Sequence, residues 1–163
     1  METFHKLALA LYLAPLIVAG VWDLRSYRIP NVVPAVLVGG FVVAAATATT
    51  EVLWLHHVLA FVIALAMGAV LFAVNALGGG DVKLMAATAL WCGIGNLLPL
   101  LLTIGLAGGG LALLLLAVRS PMGQGLLAVR MATFPEIFSP GGRVPYGLAI
   151  MAGGISLAGS LPV

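Results

Sequence analysis

Only five residues of this chain are acidic, Glu2, Asp23, Glu51, Asp81 and Glu136, and two of them are aspartates. Asp23 closes a long apolar run in "VWDLRSYRIPN", and Asp81 follows three glycines in "GGGDVK", between two more apolar runs. An ionised carboxylate within or beside hydrocarbon costs about 2.5 to 3.5 kcal/mol on insertion scales, so it needs a partner or a purpose. Two carboxylates brought together supply a purpose. Repulsion keeps them from ionising together, and the pair holds one shared proton. The ionised member can activate a water while the protonated member polarises a scissile carbonyl, with neither a metal nor a nucleophilic side chain.

The glycines fit such chemistry, because a peptide must approach a carboxylate as an extended chain and side chains at Gly78, Gly79 and Gly80 would obstruct it. They also allow irregular backbone beside a polar cavity, where membrane proteins tolerate it. The same stretch reads equally well as a plain turn in which Asp81 caps the next helix.

The elements that position these residues follow from composition. Of 163 residues 63% are hydrophobic and 7% charged, and the mean hydropathy is +1.21. That is too little polar surface to cover a water-soluble globule. The fold class is therefore all-α, a polytopic membrane protein forming a single domain over 1–163. Apolar runs broken by Gly, Pro and charge predict about six transmembrane helices, near 5–22, 32–49, 53–77, 82–95, 97–118 and 144–161. The fourth is short. The first could pass for a signal peptide, but the charged "WDLRSYR" after it suits a span ending at an interface. The semi-apolar stretch 119–143 fits a segment lying on the membrane surface.

This topology gathers Arg25, Arg28, Lys83, Arg119, Arg130 and Arg143 on one side and leaves Lys6 on the other. By the positive-inside rule the arginine-bearing side is cytoplasmic, and both aspartates lie on it. His56 and His57 fall in an external loop as interfacial residues rather than metal ligands. The single Cys92 excludes an internal disulfide and a multi-cysteine zinc site. No metal or other cofactor is expected. The basic residues serve topology, so no nucleic-acid partner is expected either.

The motifs resemble those of the type IV prepilin peptidases, intramembrane aspartic peptidases with a GxGD signature. "GGGDVKLMAA" places Gly78, Gly80 and Asp81 on that signature. "DLRSYRIPN" is similar to the family's first aspartate motif through Asp23, Arg28, Ile29, Pro30 and Asn31, and "RVPYGLAIMAG" to the segment opening its last span. The three occur in family order over about 15–155. The short form resembles the members that serve tight-adherence, Flp-type pili. Those long members that also act as N-methyltransferases carry a four-cysteine zinc segment, and the lone cysteine departs from that pattern. The resemblance implies that Asp23 and Asp81 are catalytic. It implies removal of short basic leaders from prepilins and pseudopilins at the cytoplasmic face of the inner membrane, with lipid and the pilus assembly machinery as further partners.

Around the pair, Lys83 suits either an interaction with Asp81 or an interfacial anchor. Arg25 and Arg28 suit topology. Pro30 and Asn31 read as a helix start. Tyr146 suits the interface, with a phenol able to donate into the site, and the small-residue groups at 108–110 (three glycines) and 152–154 (Ala152, Gly153 and Gly154) suit close helix packing. Other functions share some of these features. A small transporter or channel component would use paired acids nearer the midplane, a scaffold would leave the placement of the two aspartates without a reason, and an archaeal preflagellin peptidase would share the two-aspartate chemistry.

Overall fold

Five α-helices carry the described residues. In the computed structural model, which describes residues 2–48, 51–120, 142 and 144–161, they are α1 (Glu2–Ser26), α2 (Val32–Thr47), α3 (Trp54–Ala73), α4 (Gly79–Arg119) and α5 (Tyr146–Ser156), followed by a 3₁₀ turn at Ala158–Ser160. The described regular structure is entirely helical, as expected where every backbone polar group must be satisfied within its own segment. Among the described residues three stretches are long and apolar enough to cross a membrane, Lys6–Ser26, Trp54–Ala73 and Gly79–Arg119, and α2 and α5 are shorter apolar helices. Large apolar side chains such as Val62, Val70, Leu106 and Leu113 point outward, the kind of surface a bundle presents to lipid. Arg130 and Arg143, with most of the stretch expected to lie on the membrane surface, fall outside the described residues.

At 41 residues α4 would be about 60 Å long if straight. It is not straight, because Gly93 adopts φ 70° and ψ 173° and interrupts the helix. Contacts on either side show the chain reversing there. Before the break Asp81 shares a cavity with Tyr146, while Cys92 lies against the Tyr12 hydroxyl at 3.8 Å. After it, Asn96 Nδ2 donates to the Ser160 carbonyl at 3.2 Å, and Gly108 is back against the Tyr146 ring. The expected spans 82–95 and 97–118 therefore meet at Gly93 without a loop.

The break also explains His57. Interrupting a helix leaves carbonyls in the preceding turn without their usual partners. His57 Nδ1 donates to one of them, the Leu90 carbonyl, at 2.7 Å, with its ring 4.8 Å from that of Phe41. His57 is thus buried in the first turn of α3, which corrects its placement as an interfacial loop residue. His56 is exposed.

The core centres on Trp91, which is fully buried, donates from Nε1 to the Leu37 carbonyl at 2.8 Å and packs against the rings of Tyr12 and Phe41. Tyr12 and Leu16 of α1 are fully buried in the same core, so the first apolar run is part of the bundle. Gly108, Gly153 and Gly154 lie at helix contacts, whereas Gly109 and Gly110 have nothing nearby. Cys92 is a free, buried thiol. The connections gather at two ends. One end brings together the C-termini of α1 and α3 and the N-termini of α2, α4 and α5.

Candidate active site

At that end lies a cavity of about 530 Å³ lined by Asp23, Tyr27, Asn75, Gly78, Asp81 and Tyr146 among others. The two aspartates come from different helices and line the same cavity.

Asp23 sits near the C-terminus of α1 and is 4% exposed. Its Oδ2 accepts the backbone N–H of Gly147, in the first turn of α5, at 2.8 Å. The approach is close enough that a Cβ on Gly147 would lie 2.8 Å from the Asp23 Cβ, so only glycine brings this amide to the carboxylate without displacement.

Asp81 occupies the third position of α4, and its Oδ2 accepts the N–H of the N-cap residue Gly78 at 3.2 Å, capping the helix start from one side only. Its Oδ1 is buried and has no hydrogen-bond partner among the described residues. Capping therefore engages one oxygen and leaves the other for a ligand. The two readings of "GGGD" in the sequence are compatible.

The glycines divide their roles. Gly78 and Gly79 line the cavity, but Gly80 faces away from it, where an added Cβ would stand 3.1 Å from the Ile29 Cβ and 3.2 Å from the Ile29 carbonyl oxygen. Gly80 lets the α1–α2 connection approach the start of α4. A second tie between the same segments is the bond from Lys83 Nζ to Asn31 Oδ1 at 2.8 Å. Lys83 thus reaches Asn31 instead of Asp81. Asn31 does stand at the N-cap of α2, but it makes no side-chain cap bond there; the role expected of its side chain is replaced by the Lys83 contact. Pro30 immediately precedes it, and Tyr146 lines the cavity while packing on Gly108.

Tyr27, Asn75 and Gly147 join the site without having been singled out in the sequence. Tyr27 and Gly147 lie within the quoted motifs, and Asn75 stands three residues before the glycines. Among the described residues, no three His, Cys, Asp or Glu side chains gather as a metal site.

The profile of the type IV leader peptidase family matches residues 10–125, a stretch that includes both aspartates and stops short of the "PYG" segment. No curated protein and no solved structure matches the chain. With most of its length matched by that profile and apolar helices long enough to cross a bilayer, the chain is a membrane-embedded member of the type IV leader peptidase family.

Proposed function

We propose that the protein is an aspartic endopeptidase that removes short basic leaders from Flp-type prepilins at the cytoplasmic face of the inner membrane. The observation that carries this reading is the meeting of a buried Asp23 and a half-buried Asp81 in one cavity, each with one oxygen held by a backbone amide. In that state one carboxylate is ionised and its partner protonated. The ionised oxygen takes a proton from water as the water attacks the scissile carbonyl, and the protonated partner donates to the carbonyl oxygen. Collapse of the tetrahedral intermediate breaks the C–N bond and returns a proton to the leaving amine. The products are a leader carboxylate and a new pilin N-terminus.

The basic leader suits a cavity whose described lining holds two carboxylates and no Lys or Arg. The cytoplasmic placement is supported by Arg25, Arg28 and Lys83 near the same end, with Lys6 toward the other end of α1. A six-span arrangement follows if the reversal at Gly93 is a membrane turn. The Flp-type substrate is the class that the sequence resemblance implies.

Incubating the purified protein with an Flp-type prepilin, and identifying both fragments by mass, tests the reading. Release of one basic leader, with a cut just before the hydrophobic helix, is expected. An intact precursor, or cuts within the helix, would contradict it.

A further inference from the structure

Two non-glycine residues among those described adopt left-handed backbone conformations, Tyr27 at φ 51° and Asn75 at φ 58°. Both line the cavity that holds Asp23 and Asp81. Each follows the end of a helix. The Tyr27 N–H donates to the Asp23 carbonyl at 2.8 Å, and just past Asn75 the Ala76 N–H donates to the Leu71 carbonyl at 2.8 Å. A left-handed residue at such a position satisfies carbonyls of the last helical turn. Glycine does this without steric conflict, asparagine tolerates it, and tyrosine is poorly suited. Helix termination thus accounts for the backbone at 27 and 75 but not for the side chains placed there.

The cavity accounts for the side chains. Beyond a dyad and a water, a volume of about 530 Å³ has room for residues on both sides of a scissile bond. An extended peptide there presents N–H and C=O groups that need partners once out of water. A phenol and a carboxamide each both donate and accept, so they can meet either group.

We propose that Tyr27 and Asn75 bind the substrate backbone beside the scissile bond, Tyr27 from the end of α1 and Asn75 from the α3–α4 connection. This rests on the aspartate-pair reading and adds the residues that hold the peptide against the pair. Backbone strain at these two positions then falls where a ligand is gripped.

The test uses the full chain and an Flp-type prepilin. Tyr27→Phe keeps the ring and removes the hydroxyl, while Asn75→Gly keeps the left-handed backbone and removes the amide. Each variant is expected to melt as the wild type does and to raise KM roughly three- to tenfold, the loss of one substrate hydrogen bond, with kcat nearly unchanged. The same weakening is expected in prepilin Kd when each is combined with Asp23→Asn, which separates binding from cleavage. A KM and Kd at the wild-type value in either variant overturns the assignment of that residue and leaves it a helix terminator alone. Cleavage by Asp23→Asn itself would instead overturn the aspartate pair, a failure recognisable without reference to residues 27 and 75.

Discussion

Gly147 donates its backbone amide to Asp23 Oδ2 at 2.8 Å across 124 positions of sequence, fixing the carboxylate through an element outside the stretch matched by the family profile. Because a Cβ at 147 would stand 2.9 Å from that oxygen, Gly147→Ala must displace one of the two. Misplacing a catalytic group by about 1 Å can cost on the order of 100-fold. Gly147→Ala is therefore expected to lower kcat for prepilin cleavage by roughly 10- to 100-fold, with a stability loss of about 1 to 3 kcal/mol. Steady-state kinetics and thermal melting check this, and wild-type kcat would show that the amide does not position Asp23.

The neighbouring glycines give a paired prediction. Gly80→Ala would press on Ile29 at 3.1 Å, whereas a Cβ at Gly79 meets Phe72 at 3.5 Å, an ordinary contact. If the glycines serve the approach of two protein segments, Gly80→Ala lowers cleavage by about 10-fold and Gly79→Ala changes it little. If they served substrate access, the cavity-lining Gly79 would be the more sensitive. Relative kcat/KM of the two variants decides between these roles.

What the sequence made legible was the rare and polar part of the fold. In a chain with 7% charged residues, two aspartates beside apolar runs stand out, and their motifs and shared end of the bundle follow from spacing and charge placement. The features that escaped depend on partners brought by folding. In the sequence the polar Asn96 draws the break to about 96, whereas the reversal falls at Gly93, where a left-handed glycine leaves no mark in the apolar pattern. His57 reads as a loop residue in the sequence because its acceptor, the Leu90 carbonyl, lies 33 positions away beside that break. Gly147 contributes a backbone N–H, which every residue but proline possesses, so its role leaves no mark in residue type. Lys83 and Asn31 lie 52 positions apart with nothing in residue type to link them, and only the packing of α2 against α4 reveals them as a pair.

If acid and base roles are shared by one proton, as proposed, they set the pH dependence. Below the window in which the pair holds one proton, the second proton removes the base, and cleavage falls as pH decreases. Above it, loss of the only proton removes the acid, and cleavage falls as pH rises. kcat/KM against pH is thus expected to be bell-shaped, and a profile with a single limb would contradict a requirement for both roles.

His57 offers the opposite signature. His57→Phe leaves the Leu90 carbonyl without its side-chain donor, and buried acceptors deprived of a partner cost about 1 to 3 kcal/mol. Because His57 lies at the end of the bundle remote from Asp23, kcat per folded molecule should be unchanged. A melting scan paired with active-enzyme titration checks both halves.

The central claim is that Asp23 and Asp81 act as one unit, and a double-mutant cycle on kcat tests it most directly. Asp23→Asn, Asp81→Asn and the double variant would be purified, verified as folded, and assayed for leader release from a prepilin. Members of a single catalytic unit are strongly non-additive. The expected result is that each single variant loses at least about 1,000-fold and the double variant is no worse than either. Substantial cleavage by a single variant, or losses that multiply in the double, would contradict a shared-proton pair.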